Sequence, residues 1–413
     1  MTAIAIDGRQ VSAAPGQTIL ACCREAGVAI PTLCHLDGVS PAGSCRLCLV
    51  EVAGLPRPVP ACRTRVWEGM RIATATPRLQ EHRRNVVALL LGSGSHVCAF
   101  CPASGRCELQ EAARLVGVDH FTPAARPRVP LDASRARFAI DPGRCILCTR
   151  CTRVCAEIEK AASLYLGGRG HRTRLASDGG ARWADSPTCT DCGRCVAACP
   201  TGALLDKAAA AQGLWSGPPL AHALPRAAAR APAAAAAAAV PAPLPGGRRA
   251  RAATVWLGGC SGCHMSLLDL DHRLLSLARA MELVHSPLVD AKEFPHDVDV
   301  VLVEGAVSTA DDLVRVRTVR ARSRVLVAFG DCAAHGNVTA LRDAVGGPGP
   351  LVAGCPPGPG VPALLEPVRP VHEVVAVDVF LPGCPPPADV IHDALAALVT
   401  GAAPALAGRV RFG

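Results

Sequence analysis

A chain of 413 residues has room for two to four domains with real cores, and its 22 cysteines are far more than the packing of such cores requires. The net charge of +9 is mild and carried mainly by arginine; with 3% aromatics and no basic stripe interleaved with stacking rings, it argues against nucleic-acid binding and for a solvated surface or a docking face for acidic partners. No basic leader with an apolar stretch and a small-residue cleavage site opens the chain, and no run of 18 apolar residues offers a membrane span, so a thiol-reducing cytoplasmic setting is expected, where clustered cysteines mean metal rather than disulfides.

The chain opens with strand-like TAIAIDG and QVSAAPG, followed by a helical stretch from Thr18 to Ala26 in which Cys22 and Cys23 read as small core residues. Cysteine-rich loops follow, and after Glu111 the sequence turns basic and loop-rich. Residues 207–253 are nearly all Ala, Pro, Gly and Arg, with Pro232, Pro241, Pro243 and Pro245 bracketing the alanine run, which reads as a semi-flexible linker. Beyond it, ATVWLGG, DVDVVLVEG, RVLVAFGD and VHEVVAVDVFLPG are continuous apolar runs of buried parallel strands. Helical patterns such as MSLLDLDHRLLSLARAM and ADVIHDALAALVTG accompany them. Three of these four strands lead directly into Cys260, Cys332 and Cys384. In an open parallel sheet the carboxyl strand ends border the functional crevice, where separated cysteines converge.

Nineteen cysteines and one histidine sort into five sets. Cys34, Cys45, Cys48 and Cys62 form a C-x10-C-x2-C-x13-C pattern on a loop bearing Gly43 and Ser44, which suits the compact rhomb of a 2Fe-2S cluster; a zinc site is the alternative. His96, Cys98, Cys101 and Cys107 combine three thiols with an imidazole, which suits the fourth position of a 4Fe-4S cluster; a structural histidine is the alternative. The repeats Cys145, Cys148, Cys151, Cys155 and Cys189, Cys192, Cys195, Cys199 both read C-x2-C-x2-C-x3-C, the two-cluster bacterial ferredoxin motif in which each fourth cysteine crosses to the other cluster. One 4Fe-4S cluster is thus assigned Cys145, Cys148, Cys151 and Cys199, and the other Cys189, Cys192, Cys195 and Cys155. Cys260, Cys263, Cys332 and Cys384 make the fifth set. CSGCH also fits haem attachment, which needs export in most systems, and a thioredoxin-like C-x-x-C, which leaves Cys332 and Cys384 unexplained. Cys355, in GCPPGPG, imitates the Cys384 segment and reads as a spare thiol.

The first set resembles the 2Fe-2S domain that begins the complex I large iron-sulfur subunit, iron-only hydrogenases and the diaphorase small subunit of NAD-linked hydrogenases. CELQ after Cys107 strengthens that likeness, although in those relatives the histidine stands further ahead, where this chain has Gly94. WLGGCSGCHMS, FGDCAAHGN, LPGCPPPAD and VLVEGAVST, with Glu304, resemble the small subunit of nickel-iron hydrogenases, where such a set holds the 4Fe-4S cluster proximal to nickel. Glu304 lines a subunit contact or proton route, or is a buried carboxylate with a structural partner. As a whole the chain resembles a fusion of the diaphorase small subunit and hydrogenase small subunit of the bidirectional NAD(P)-linked nickel-iron hydrogenase.

That resemblance implies an α+β N-terminal half: a β-grasp 2Fe-2S domain over 1–78, a His/Cys3 4Fe-4S domain over 79–120 and a two-cluster ferredoxin domain over 138–206. It implies an α/β flavodoxin-like domain with a proximal 4Fe-4S cluster over 254–413. It further implies one 2Fe-2S and four 4Fe-4S clusters relaying electrons between two partner subunits, an FMN-containing NAD(P)-binding diaphorase subunit and a nickel-iron large subunit. Consistent with that division, the chain has no G-x-G-x-x-G after a strand and no P-loop, and no catalytic residue is assigned to it. The rival readings are an adapter of a complex I-like or other NADH-linked dehydrogenase and a cluster-based redox or H2 sensor.

Overall fold

The computed structural model describes residues 1–123, 130–180, 182–214, 217, 248–289, 291–353 and 358–413. These fall into two compact units, the first built from 1–96, 101–116 and the described residues between 130 and 217, the second from 97–100, 117–123 and 248–413.

In the first unit, β1 (Thr2–Ile6) and β2 (Arg9–Ala13) form an antiparallel hairpin closed by Asp7 and Gly8, both at positive φ as a tight two-residue turn requires. With β3 (Leu49–Val52), β4 (Val59–Pro60) and β5 (Arg71–Ala73) they complete a sheet of order β2-β1-β5-β3-β4, in which β1 and β5 run parallel and β3 opposes β5. The helix Ile19–Glu25, capped by the Thr18 side chain, packs Ile19, Leu20, Cys22 and Cys23 with Ile4, Ile6, Val50 and Ile72. Burial pushes the Cys23 thiol up to about 12, an inert core sulfur. A long helix, Pro77–Gly92, starts at an N-cap Thr76 with proline in its first turn.

Further on, β6 (Phe138–Ile140), β7 (Leu164–Gly167), β8 (Arg174–Ser177) and β9 (Leu204–Asp206) form two antiparallel pairs, β6–β9 and β7–β8. The short helices Arg150–Arg153 and Arg194–Ala198 lie within the cysteine repeats, carrying Cys151 and Cys195, and close a core of Phe138, Leu164, Leu175, Trp183, Val196 and Leu204. Ordered structure reaches into both ends of the Ala/Pro-rich stretch. Asp206 caps a helix over Lys207–Ala211, and the first strand of the second unit begins at Ala250; the expected linker between them lies, over 218–247, outside the described residues.

The second unit is built on β10 (Ala250–Trp256), β11 (Met281–His285), β12 (Val298–Glu304), β13 (Val307–Thr309), β14 (Ser323–Phe329), β15 (Leu364–Arg369) and β16 (Val379–Leu381). Five of these form one parallel sheet of order β11-β10-β12-β14-β16, while β13 and β15 make a small antiparallel pair. Taken in chain order this is 2-1-3-4-5, the flavodoxin-like order, with its switch point between β10 and β12. Every residue of β12 is buried, because helices cover both sheet faces. The helix Ala310–Ala321 starts with a reciprocal Thr309–Asp312 capping box, and Ala388–Val399 buries Val390, Ile391, Leu395 and Leu398.

Candidate metal centres

The parallel sheet brings the fifth cysteine set to one edge. Cys260 and Cys263 bracket the turn from β10 into the helix Gly262–Leu268, Cys332 lies in the helix Asp331–His335 immediately after β14, and Cys384 follows β16. The four thiols feel one another. Cys263 is pushed up by burial and then by Glu304, Cys332, Asp331 and Cys260; Cys384 is pushed up to about 11 by burial, then by Asp331, with Cys332 and Cys260 adding. Gly330, at φ +85°, passes so close to Cys263 that a Cβ there would collide with its sulfur. Asn337 Nδ2 donates to Cys384 Sγ at 3.4 Å.

Asp331 ties this edge together. Its Oδ1 accepts from the Gly383 amide and its Oδ2 from the Gly413 amide, each at 2.7 Å, while its own amide donates to the Gly383 carbonyl at 2.9 Å. The residue before Cys332 therefore latches the residue before Cys384. Glu304, at the end of β12, has a structural partner, accepting from the backbone amide of His264 at 3.0 Å and bonding His264 Nδ1. Cys355 lies outside the described residues.

In the ferredoxin-like repeats burial, with Cys199 and Cys145 adding, pushes Cys148 up to about 12, and burial with Cys148, Cys199 and Cys145 pushes Cys151 up. Burial, with Cys192, Cys155 and Cys189 adding, pushes Cys195 up to about 12. The fourth cysteine of each repeat thus acts on thiols of the other. Cys199 Sγ lies 3.0 Å from the Thr201 carbonyl. Beside the first repeat a buried fork joins Arg150 to Glu108, Nη1 to Oε1 at 2.6 Å and Nη2 to Oε2 at 2.8 Å, fixing the helix Glu108–Val116 against it.

Within the first set, Cys34 is held down to about 4 by a hydrogen bond from the Cys45 thiol, helped by the Cys45 amide, whose nitrogen lies 3.5 Å from its sulfur. Cys62 is lowered by Cys48 in the same way, so the four sulfurs meet as two interacting pairs. Of the second set, His96, Cys101 and Cys107 lie in the first unit and Cys98 falls in the second. Gly94 packs against His96: a Cβ there would stand 2.5 Å from His96 Nε2 and 2.6 Å from the Gly143 carbonyl oxygen. Gly202 similarly leaves room beside Cys101, whose sulfur would be 2.8 Å from a Cβ.

No disulfide joins any of the 21 described cysteines. Among the described residues no three His, Cys, Asp or Glu side chains converge closely enough for a single metal ion. Sulfur-rich sets backed by glycines that leave space at the thiols fit iron-sulfur clusters. Sequence reading missed Asp331, which its place beside Cys332 in FGDC could have signalled, and Arg83, Arg150 and Asn337, which no motif marks.

Comparison with known proteins gives these sets a context. Residues 1–77 match the 2Fe-2S iron-sulfur cluster binding domain, 83–121 the NADH-ubiquinone oxidoreductase-G iron-sulfur binding region, 144–204 the 4Fe-4S dicluster domain, and 260–398 the 20 Kd subunit of NADH ubiquinone oxidoreductase. The chain is 36% identical over 210 residues to the NADPH-Fe(3+) oxidoreductase subunit alpha of Geobacter sulfurreducens, covering 50% of this chain and 24% of that one. It is 37% identical over 215 residues to the NADP-reducing hydrogenase subunit HndD of Solidesulfovibrio fructosivorans, covering 50% and 36%. To a vhu subunit of the F420-non-reducing hydrogenase of Methanocaldococcus jannaschii it is 34% identical over 176 residues, covering 39% and 59%. The chain thus spans about a quarter to three-fifths of the length of these relatives. It carries 2Fe-2S and 4Fe-4S domains toward its N-terminus and, toward its C-terminus, a domain of the 20 Kd subunit type on a five-stranded parallel sheet. No helix among the described residues is long and apolar enough to cross a membrane.

Proposed function

We propose that this chain is the electron-transfer subunit of an NAD(P)-linked nickel-iron hydrogenase, relaying electrons through five iron-sulfur clusters between a flavoprotein partner and a nickel-iron partner. The observation that carries this reading is the convergence of Cys260, Cys263, Cys332 and Cys384 at the carboxyl edge of the flavodoxin-like sheet, in the same chain as the ferredoxin-type repeats. Iron-sulfur clusters supply single-electron carriage, and the chain's own residues hold them, set their charge environment and exclude water. The ligands are the five sets given above, including His96, with domain limits at 1–78, 79–120, 138–206 and 254–413. Around Cys260, which is exposed, Met265 and Leu268 also stand out from the helix Gly262–Leu268, an apolar rim suited to cover by the nickel-iron subunit. Hydrogenase names among the relatives support the same reading.

A second reading, an adapter in a complex I-like dehydrogenase, is favoured by the match of 260–398 to the 20 Kd subunit. Against it stands the spacing of Cys260 and Cys263, since the complex I subunit that the C-terminal half resembles uses two adjacent cysteines. The deciding experiment is the nickel-to-iron ratio of the complex recovered anaerobically with this chain from its host. Stoichiometric nickel beside abundant iron supports the hydrogenase; abundant iron without nickel in an intact complex overturns it in favour of the adapter.

A further inference from the structure

Arg83 is a buried cation that none of the cluster sets employs. It lies on the helix Pro77–Gly92 and is only 3% exposed. Its Nε donates to the Leu47 carbonyl at 3.1 Å and its Nη2 to the Leu49 carbonyl at 3.0 Å, so the guanidinium grips the backbone on both sides of Cys48. Among the described residues no carboxylate forms an ion pair with it. The acidic group it does feel, Asp7, is itself engaged by the Thr74 amide at 2.7 Å and the Thr74 hydroxyl at 2.5 Å. Arg83 stays protonated in proteins, and taking a guanidinium out of water without a counter-charge is costly. Burial pulls the guanidinium down from its ordinary value, and Cys48 first, then Asp7, acts against that. The group whose backbone it grips on both sides is Cys48, so a cluster held by that thiolate would set an anion opposite this buried cation.

We propose that Arg83 sets the reduction potential of the 2Fe-2S cluster held by Cys34, Cys45, Cys48 and Cys62, raising it while positioning the Cys48 turn; this rests on the ligand set proposed above. On reduction the cluster takes one electron from its redox partner and becomes more negative by one charge. Arg83 neither gains nor loses a proton. A fixed positive charge in a low-dielectric site stabilises the more negative state, so the reduced form is favoured. A neutral side chain, glutamine or methionine, removes that stabilisation, whereas lysine keeps the charge and loses the two-pronged grip on the carbonyls.

The test is a redox titration of the intact, cluster-loaded chain followed by electron paramagnetic resonance of the 2Fe-2S signal, for the wild type and Arg83→Gln, Arg83→Met and Arg83→Lys. The expected result is a shift to more negative midpoint potential in Arg83→Gln and Arg83→Met, little shift in Arg83→Lys, and unmoved 4Fe-4S midpoints in all three. Arg83→Gln and Arg83→Lys decide the matter if Arg83→Met fails to fold. An intact signal at the wild-type midpoint in Arg83→Gln, or equal shifts in the glutamine and lysine variants, overturns the electrostatic role. Absence of a 2Fe-2S signal in the wild type, or its survival in Cys48→Ser, overturns the ligand set instead, and this proposal with it.

Discussion

Replacing Asp331 by alanine tests how the carboxyl edge of the parallel sheet is held. The carboxylate is 1% exposed and accepts two backbone N–H groups, Gly383 and Gly413, each at 2.7 Å. A hydrogen bond to a charged group contributes about 1.5–3 kcal/mol, so deleting both costs roughly 3–6 kcal/mol. The reciprocal bond from the Asp331 amide to the Gly383 carbonyl survives the substitution, which leaves the backbone path intact but slack. At about 2–4 °C per kcal/mol for a domain of this size, the second unit should lose roughly 6–24 °C in thermal midpoint. Hydrogen exchange read by mass spectrometry should localise the loss to peptides containing Gly383 and Gly413. Iron content should fall by the share of one 4Fe-4S cluster, because Gly383 immediately precedes Cys384. Full iron content with a midpoint within about 2 °C of the wild type would refute the reasoning.

On the proposed hydrogenase reading, serine at Cys384 should abolish one 4Fe-4S signal and electron flow to a nickel-iron partner, whereas serine at Cys355 should do neither; paramagnetic resonance and hydrogen-driven NAD(P) reduction by the purified complex check both. Glu108→Ala strands Arg150, 3% exposed, without its partner and should destabilise the first unit by about 3–5 kcal/mol, read as a fall in denaturation midpoint. Burial, then His120 and His335, pushes His372 down to about 4. Because that lies below the ordinary value of about 6.5, the unfolded chain takes the proton first. The stability is whole above about pH 6.5 and drains as pH falls toward 4; a His372→Gln variant whose thermal midpoint keeps the full wild-type slope across that window would refute it.

How much of this was legible depended on what each residue answers to. The runs that became β10, β12 and β14 read as buried parallel strands because both faces of their sheet are covered, leaving no alternation to read. β11, MELVH, gave no such run, being an edge strand with no fully buried residue. VHEVVAVDVFLPG looked like one strand, yet only Val379–Leu381 pairs. Val371–Glu373 is a helical turn whose Val371 is buried in the core, and the exposed Asp378 accepts from the Leu326 amide at 2.7 Å. The helical pattern MSLLDLDHRLLSLARAM is split into Gly262–Leu268 and Arg273–Ala280 around Asp271, at φ +53°. Apolar periodicity records burial, and a turn buries a valine as well as a strand does. The cysteine sets were legible because ligand spacing is written in the chain itself. Asp331 and Arg83 act on those sets through backbone groups distant in sequence, and no spacing reports that.

The backbone within the cysteine motifs adds an argument that residue types alone do not. A left-handed residue stands inside the Cys45/Cys48 pair at Arg46, inside Cys145/Cys148 at Leu147, inside Cys148/Cys151 at Thr149, inside Cys189/Cys192 at Asp191, inside Cys192/Cys195 at Gly193 and inside Cys260/Cys263 at Ser261. Leucine and β-branched threonine are poor residues for this conformation, which costs an L-residue roughly 1–2 kcal/mol. Simple turns would have recruited glycine or asparagine throughout. Left-handed residues within such turns aim successive backbone N–H groups into a concavity that receives negative charge, as at many iron-sulfur sites. Strain of this kind persists where the surroundings over-determine it. Its recurrence between cysteines of four separate stretches of the sequence is accounted for by one common demand, that each turn wrap its amides around negative charge.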